Sequence, residues 1–535
     1  MFKKFKRLPS RIKQFYIHTT NDKNVFEIEK RVHQNAPPAS QPPVVIFNAS
    51  TRIKGMSLNA GFSLLMGWAL KLQGVPVHQF ICDSGMSHCM LGSILNKPLD
   101  TPPCSICLSQ SKKFFKEFNH QYFLFNPSQD LIDCTENLSV NELSLFHYNE
   151  IPLGELVLPA IRWVLRCYHL QDDQETRYLF RQYIISAENI ARNFAALISE
   201  IHPQKVVVFN GMTFPEATVR WVSLQYQIPV VTHEVGLLPF SAFFTYDQAT
   251  AYPIQIEKDF QLSEAQNQKL DQYLEQRFQG NFSMAGIKFW PSMKELSPSF
   301  LQLSEKFKQI VPVFTNVIFD TSQSHANVIF SHMFDWLDCV LEIISEHPET
   351  LFVIRAHPDE ARPGKASVEN VASWAKSRRI ELYRNVVFVD ATEHFSSYEL
   401  IQKSKFVLIY NSTIGMEATL MGVPVISGGK SRFTQIPIVY LSDSKEKFKE
   451  KVESFLIAQN ISVPVEFISN VRRFLYTQLY RVSLSFEEFL EEDEIWNGYV
   501  KLKKFSWKHL LPENSNVIKC ISDGILKNQP FEIDQ

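Results

Sequence analysis

Two stretches of this 535-residue sequence place side chains suited to phosphate binding at the ends of predicted strands. In the first, an apolar run at 406–410 is followed by Ser412 and Thr413, and then by a helical pattern at 414–421. The amides of a first helical turn attract an anion, and the two hydroxyls add donors at the same point. Glu417, one turn further on, suits the two hydroxyls of a ribose. The competing interpretation of this turn is an ordinary helix cap followed by a solvated acid.

The second stretch has Arg355 at the end of an apolar run and His357 directly before a proline. Because proline disfavours helical backbone in the residue before it, His357 is held extended at the strand end. Ser322 lies in a polar loop at 321–325, after a strand predicted at 314–320. The carboxyl ends of parallel strands share one edge of a sheet, so we expect all of these side chains along that edge. The competing interpretation of the loop is a hydroxyl-rich turn.

The two motifs together resemble a known group of proteins. Arg-x-His-Pro at 355–358, followed by Ser-Thr-x-Gly-x-Glu-Ala-x-x-x-Gly-x-Pro-Val at 412–425, resembles the C-terminal domain of bacterial capsule-polysaccharide glycosyltransferases of the GT-B fold. The same pairing occurs in bacterial transferases that use CMP-activated Kdo or sialic acid. The resemblance covers residues 312–431, and it implies that the histidine and the hydroxyls bind the phosphate of a sugar donor. We expect the donor site to comprise Ser322, Arg355, His357, Ser412, Thr413, Gly415 and Glu417.

The first part of the chain predicts a second sheet of the same kind. Apolar strand patterns alternate with helical patterns, as they do in β-α-β units. The predicted elements are a strand at 44–48, a helix at 58–73, a strand at 75–82, a helix at 187–201, a strand at 206–209, a helix at 215–226 and a strand at 230–232. These units contain no GxGxxG sequence, so a dinucleotide is not indicated.

The predicted fold is therefore α/β and GT-B-like, with two Rossmann-like domains facing a cleft and C-terminal helices. We expect the cleft to bind the donor on the second domain and the acceptor on the first. The expected boundaries are 1–43 for a basic leader or linker, 44–256 for an N-terminal acceptor domain with a Cys-rich insertion, 257–311 for a helical join, 312–460 for a nucleotide-sugar-binding domain and 461–535 for a helical extension.

A general base must deprotonate the acceptor hydroxyl if the transfer inverts the configuration of the sugar. Glu234 is the candidate, since it follows a strand of the first domain and so faces the cleft. The sialyltransferases that the sequence resembles carry paired acids before a glycine, whereas this chain has His233 before Glu234. His357 is the second catalytic candidate, as a donor to the departing phosphate. No Asp-x-Asp sequence stands in a suitable loop, so a metal-independent reaction is expected.

Four cysteines lie close together in the sequence between two predicted strands of the first domain. Cys104 and Cys107 form a Cys-x-x-Cys pair, and Cys82 and Cys89 precede them. Four thiolates in this spacing predict a structural zinc site, although the six residues between the first two are more than a usual half-site has. The alternative is a group of ordinary buried thiols.

Composition excludes several classes of protein. The chain has 54 basic and 56 acidic residues, so nothing indicates nucleic-acid binding. No apolar run has the roughly 20 residues of a membrane span and no signal peptide is visible, so we expect a cytoplasmic protein. The stretch 1–15 has six basic residues, no acid and apolar residues at helical spacing. This pattern suggests peripheral contact with the inner membrane, and its alternative is a frayed basic terminus.

The predicted function is transfer of a sugar from a nucleotide-sugar donor, for which CMP-linked sugars are candidates, to a capsular or other surface polysaccharide or glycolipid. Three alternatives remain open. One is a CDP-glycerol-type glycerophosphotransferase, another is a nucleotide-sugar epimerase, and the third is a non-catalytic scaffold that binds nucleotide sugars. The hydroxyl turn with Glu417 fits the sugar transferases better than the acidic turn of the glycerophosphotransferases.

Overall fold

The computed structural model describes residues 10–47, 49, 55–93, 97, 99–279, 295–496 and 498–533. The helices are α1 (Ser10–Asn35), α2 (Leu58–Leu72), α3 (Cys104–Phe114), α4 (Gln129–Thr135), α5 (Val140–Ser144), α6 (Leu153–Leu165), α7 (Gln174–Ile201), α8 (Glu216–Gln225), α9 (Glu264–Phe278), α10 (Pro298–Ser304), α11 (Gln323–Ala326), α12 (Met333–Glu346), α13 (Val371–Ser377), α14 (Ser397–Gln402), α15 (Ile414–Leu420), α16 (Lys445–Ile457), α17 (Val465–Tyr476) and α18 (Asn516–Lys527). The strands are β1 (Val44–Phe47), β2 (Met56–Ser57), β3 (Val77–Cys82), β4 (Asn119–Phe123), β5 (Lys205–Phe209), β6 (Val230–Val235), β7 (Ser241–Thr245), β8 (Gln309–Phe314), β9 (Thr350–Arg355), β10 (Val386–Val389), β11 (Val407–Ile409), β12 (Val425–Ser427), β13 (Tyr440–Leu441), β14 (Leu484–Ser485), β15 (Leu490–Glu492) and β16 (Tyr499–Leu502).

The first sheet has seven strands in the order β4-β3-β1-β5-β6-β7-β14. The pairs from β4 to β6 are parallel, and β7 and β14 are antiparallel to their neighbours. All four residues of β1 are apolar and buried, as expected of a parallel strand that has helices on both faces of its sheet. Numbered along the chain, the parallel strands follow the order 3-2-1-4-5 of a doubly wound domain.

The second sheet has six parallel strands in the order β10-β9-β8-β11-β12-β13. This is again the order 3-2-1-4-5, with one further strand at the edge. Two Rossmann-like sheets in one chain confirm the predicted α/β, GT-B-like fold class.

The strand predicted at 314–320 is wrong, because β8 ends at Phe314. Pro312 lies inside β8, and a proline ordinarily argues against a central strand. It is accommodated here because the pairing of β8 with β11 begins only at Val313. Residues 315–322 therefore belong to the loop that follows the strand, which lengthens the polar edge of the second sheet.

The C-terminal part of the chain returns to the first domain. After α17, a π-helical turn (Thr477–Arg481) leads to β14, which pairs with β7 of the first sheet. α18 then packs against α2, and the two share one hydrophobic core. The sequence predicted a helical extension here, but the segment also contains strands. β15 and β16 form a small antiparallel sheet with β2.

Helix α1 occupies most of the segment that the sequence suggested to be a leader or linker. Val25, Ile28 and Val32 of α1 are buried in the core that contains α2. The basic residues 1–9 lie outside the described residues. Among the helices of the described ranges, none combines the length and the apolar character that a bilayer crossing requires.

Candidate active site

The polar residues that follow β8, β9 and β11, at 315–322, 355–359 and 411–413, are called here the second rim. Thr315 Oγ1 donates a hydrogen bond to the carbonyl oxygen of Arg355 at 3.0 Å. Asn316 Nδ2 donates to Asn411 Oδ1 at 2.6 Å. These bonds join the ends of three adjacent strands at the point where the strand order reverses. Ligands of doubly wound domains bind at this point, so the predicted donor-site residues lie where a ligand is expected.

Arg355 and His357 lie on the second rim as predicted. The Arg355 side chain is buried, and its Nε donates to Ser397 Oγ at 2.9 Å. Burial lowers the pKa of Arg355 to about 10, so the guanidinium remains charged at neutral pH. The Nδ1 atom of His357 accepts the backbone N–H of Asp359 at 3.1 Å, and burial lowers the pKa of the imidazole. A neutral ring with Nδ1 as acceptor carries its proton on Nε2, which makes Nε2 a hydrogen-bond donor.

The hydroxyl turn precedes α15. Ser412 is buried and Thr413 is half-buried at the first position before the helix. Gly415 has a packing role: a Cβ atom there would lie 2.6 Å from Ile409 Cδ1, so glycine lets the helix approach β11 closely. Contact of these three residues with a donor stays a prediction.

Glu417 is not a solvated acid. It is buried, and its Oε1 accepts from Arg277 Nε at 2.6 Å and from Arg277 Nη2. Tyr398 also hydrogen-bonds to Glu417. Arg277 lies on α9, 140 residues earlier in the chain. Any ribose that binds this carboxylate must share it with a buried guanidinium.

Ser322 lies in the loop after β8, directly before α11. Its backbone N–H donates to Asp320 Oδ1 at 2.9 Å, which shapes the loop as a tight turn. The next residue, Gln323, is buried, and its Nε2 lies 3.4 Å from Asn411 Oδ1. The loop therefore packs on the end of β11, next to the hydroxyl turn, and Ser322 remains a predicted donor contact.

The corresponding edge of the first sheet, at 210–216 and 233–236, is called here the first rim, and Glu234 lies at its centre. Asn210 Nδ2 donates to Glu234 Oε2 at 2.7 Å, and the N–H of Val235 donates to Oε1 at 2.8 Å. Burial raises the pKa of Glu234, and these two hydrogen bonds partly oppose that shift. Asn210 is held in a left-handed conformation, and its own Oδ1 accepts the N–H of Met212 at 3.0 Å. An Asn-Gly pair after a strand was the sequence signal for this residue.

Glu216, at the start of α8, is a second acid on the first rim that the sequence analysis did not single out. It is buried, its Oε1 accepts the N–H of Ala49 at 3.4 Å, and burial raises its pKa to about 7. The charge of Glu234 contributes to that shift. The first rim thus carries two neighbouring carboxyls, both with raised pKa values.

His233, next to Glu234, belongs to the core instead. Its ring packs among Phe62, Phe209 and Phe244, and burial lowers its pKa to about 3. Successive side chains of a strand point to opposite faces of the sheet. His233 and Glu234 therefore have separate roles, although they are adjacent in the sequence.

The two rims face each other. The charges of Asp320 and Arg432, both from the second domain, act on the pKa of Glu234, the first raising it and the second lowering it. The Arg432 guanidinium lies 4.2 Å from the centre of the Tyr252 ring, whose hydroxyl donates to the carbonyl oxygen of Val235 at 2.9 Å. Arg432 and Tyr252 were also missed in the sequence, because their roles depend on contact between domains.

The four cysteines of the predicted zinc site lie near one another in the first domain. Cys82, Cys89, Cys104 and Cys107 line one small cavity beside the end of β3. All eight cysteines lie in the described ranges, and none forms a disulfide bond. Among the described residues, no three His, Cys, Asp or Glu side chains have the arrangement of a ready metal site. The zinc site therefore stays a prediction.

Comparison with known proteins bears on the second domain. Residues 293–452 match the family described as capsule polysaccharide biosynthesis protein, which confirms the resemblance to this group over that segment. No curated protein matches the chain in sequence.

Several solved structures are similar to this chain. One is the KpsC β-Kdo 2,4-transferase of Thermosulfurimonas dismutans, with 11% identity over 52% of this chain and 80% of that chain and a TM-score of 0.36. Another is the KpsC β-Kdo 2,7-transferase of the same organism, with 15% identity over 53% of this chain and 89% of that chain and a TM-score of 0.29. A third is the UDP-GlcNAc 2-epimerase of Neisseria meningitidis bound to UDP-GlcNAc, with 12% identity over 82% of this chain and 99% of that chain and a TM-score of 0.24.

Proposed function

We propose that this protein is a glycosyltransferase that moves a sugar from a nucleotide-sugar donor to a growing capsular or other surface polysaccharide or glycolipid. One observation carries the proposal: the half-buried carboxyl of Glu234 on the first rim, whose pKa is raised, lies within electrostatic reach of Asp320 on the second rim. The match of residues 293–452 to capsule polysaccharide biosynthesis proteins supports the biological setting.

The second rim supplies the donor side of the reaction. When the bond between sugar and phosphate breaks, negative charge grows on the departing phosphate, and donors already in place stabilise it. His357 Nε2–H and the hydroxyls of Ser412 and Thr413 are neutral donors of this kind, and Arg355 adds a positive charge behind them. These groups stabilise the leaving phosphate in a reaction that we propose to be metal-independent.

The first rim supplies the acceptor side. Glu234 accepts the proton of the acceptor hydroxyl as that oxygen attacks the sugar, provided that its carboxyl is ionised. A pKa raised by burial makes the carboxylate a stronger base than an ordinary glutamate. Asn210 holds Oε2 in position, so Glu234 is oriented before the acceptor arrives.

A screen of the full chain against nucleotides tests the donor assignment. CMP, CDP, UDP and GDP are added separately, and unfolding temperature is measured. A ligand at 100 times its Kd stabilises the folded state by about 2.7 kcal/mol, which such a scan detects readily. We expect one nucleotide to stabilise, with CMP first in order of testing because of the resemblance to CMP-sugar transferases. The absence of stabilisation by all four contradicts the donor site.

His357→Ala then tests the catalytic assignment, with the exposed His147→Ala as its control. We expect His357→Ala to lower sugar transfer about 10²- to 10³-fold, as removal of a donor to a developing anion does elsewhere, while unfolding temperature changes little. Early melting that ligand does not rescue identifies His357 as a structural residue. Nucleotide binding by the wild type without any transfer favours the scaffold alternative.

We also propose that helix α1 docks on an anionic membrane surface, where a glycolipid or polysaccharide acceptor is assembled. Ile12, Phe15, Tyr16 and Phe26 are each more than half exposed, although they are large and apolar. They recur at helical spacing, and four further basic residues precede the helix at 3, 4, 6 and 7. Each basic residue near anionic lipid contributes about 1 kcal/mol.

Co-sedimentation with vesicles tests this docking. We expect the chain to bind vesicles that contain phosphatidylglycerol and not vesicles of phosphatidylcholine alone. Phe15→Ser should weaken binding, whereas Ile457→Ser, a control of equal exposure (73%) on α16, should not. If both variants bind the vesicles equally, α1 does not contact the membrane.

A further inference from the structure

The four clustered cysteines come from three separate parts of the first domain. Cys82 ends β3, Cys89 lies in the following loop, and Cys104 and Cys107 lie in the first turn of α3. All four line the same small cavity, and each is partly shielded from solvent. The fold thus brings together four sulfurs that span 26 positions of sequence.

Cys82 and Cys89 lie in turns that have the same sequence pattern and the same hydrogen bond. Both begin a Cys-x-x-Gly sequence, and in both the glycine N–H donates to the cysteine sulfur. Gly85 donates to Cys82 Sγ at 3.3 Å, and Gly92 donates to Cys89 Sγ at 3.3 Å. Backbone N–H groups directed at sulfur stabilise the charged thiolate, which is the form that binds metal.

Glycine is required in both turns. A Cβ atom at Gly85 would lie 2.2 Å from the Phe123 ring, and one at Gly92 would lie 2.5 Å from Pro102 Cβ and 3.0 Å from Cys89 Sγ. These approaches are too close for any other residue. The backbone is therefore packed tightly around the two sulfurs, which places their N–H donors in a definite position.

The other two cysteines begin an 11-residue helix. The first turn of a helix has backbone N–H groups without partners within the helix and the positive end of the helix dipole. Polar N–H groups therefore lie near both cysteine pairs. Burial raises the pKa of the Cys82 and Cys89 thiols, so both keep their protons until a metal displaces them.

We propose that these four cysteines bind a structural zinc ion as thiolates. Zinc takes four sulfur ligands in tetrahedral geometry at about 2.3 Å. Since the described residues do not form a ready metal site, the ion must draw the four sulfurs inward, and each thiol loses its proton to solvent as its bond to zinc forms. The ion ties the first turn of α3 to the end of β3.

The cavity lies next to the first rim. Ala49 also lines the cavity, and its N–H donates to Glu216 Oε1 on the first rim. A metal bound here holds Ala49 and its hydrogen bond to Glu216 in place, whatever reaction the first rim performs. The inference is therefore independent of the proposed glycosyltransferase activity.

Metal content of the full chain, purified without added metal, tests the inference. We expect about one zinc per chain in the wild type. Cys104→Ser with Cys107→Ser should lose this zinc, whereas Cys134→Ser with Cys167→Ser, which removes two cysteines outside the cluster, should retain it. Zinc that persists in the first double variant overturns the site, and so does iron in place of zinc.

A second measurement covers the case in which the double variant fails to fold. A chelator strong enough to remove zinc is added to the wild type, and thiol alkylation is followed by mass spectrometry with and without it. We expect the four cluster thiols to be protected until the chelator is added and then to react together with the release of zinc. Rapid alkylation of all four before chelation, in protein without zinc, overturns the proposal.

Discussion

The two rims have the same strand topology and opposite chemistry. On the first rim, Glu216 is buried and Glu234 is half-buried, both carboxyls have raised pKa values, and their partners are an amide and backbone N–H groups. On the second rim, Arg355 remains charged, and His357 is a neutral donor beside a turn of two hydroxyls. The first rim thus carries groups that can accept a proton, and the second rim carries groups that can stabilise an anion. Strand order therefore sets where a ligand binds, whereas the residues after each strand set what the site does.

The difference also follows from how each rim is built. Asn210 and the N–H of Val235 hold Glu234 from within the first domain. Next to the second rim, Glu417 on α15 is held by Arg277 of α9. Glu234 is therefore held by residues of its own domain, whereas Glu417 is held by the segment between the domains.

Glu234→Gln is expected to have the largest effect of these substitutions, because it removes the proton-accepting group of the first rim. It keeps the shape of the side chain and removes the base, so transfer should fall about 10²- to 10⁴-fold. Burial raises the pKa of Glu234 above 4.5, and the wild-type kcat/KM should therefore rise with pH through that shifted pKa as the carboxyl ionises. The variant should lack this acidic limb.

Glu305→Gln, on an exposed acid after α10, serves as the control for Glu234→Gln and should leave both rate and pH profile unchanged. A Glu234→Gln variant that keeps the acidic limb shows that another group is the base. Glu216 is then the next residue to test.

Glu417→Gln separates a structural role of this residue, which lies on α15 next to the second rim, from a role in donor binding. Loss of the carboxylate leaves Arg277 charged and buried, and breaking a buried pair by removing one partner costs about 3–5 kcal/mol of unfolding free energy. Denaturant unfolding measures this cost. Arg277→Met combined with Glu417→Met removes both charges and should recover much of it.

Calorimetric titration of the same Glu417→Gln variant tests the predicted ribose contact. Donor nucleotide should bind about ten- to a hundredfold more weakly, because a charge-assisted hydrogen bond is worth about 1.5–3 kcal/mol. A 2′,3′-dideoxy nucleotide should bind both proteins equally. If the wild type and the variant also bind the ordinary nucleotide equally, Glu417 has only the structural role.

Glu216→Gln should have the smallest effect, one that depends on pH. The folded-state pKa of Glu216 is about 7 and the ordinary value is 4.5, so the folded state binds the proton more tightly than the unfolded chain. As pH rises from 4.5 to 7, ionisation of this carboxyl therefore opposes folding, by about 3 kcal/mol at most. The glutamine variant should gain stability relative to the wild type over this range, by an amount that grows with pH. A pH-independent difference in unfolding free energy would show that Glu216 does not titrate in this range.

Local patterns predicted most of the elements that build both rims. The apolar run at 406–410 contains β11, the helix predicted at 414–421 is α15 to within one residue, and the apolar run that ends at Arg355 is β9. Apolar periodicity and helix caps depend on neighbouring residues, so one sequence contains them. The error at β8 came from the same local reasoning, because Val317, Ile318 and Phe319 are apolar and buried although they lie in a loop.

The amino-acid sequence was enough to predict the two-domain α/β class and the strand-end positions of Glu234, His357 and Ser412, and to single out four closely spaced cysteines. The shared cavity of these cysteines depends on the tertiary fold. The tertiary structure alone decided that Arg277 binds Glu417, that Glu234 lies within the electrostatic reach of Arg432, and that the C-terminal segment adds a strand to the first sheet. These contacts join residues far apart in the chain, and such pairs follow from how whole elements pack. Periodicity records which face of an element is buried, but it does not record which distant side chain that face meets.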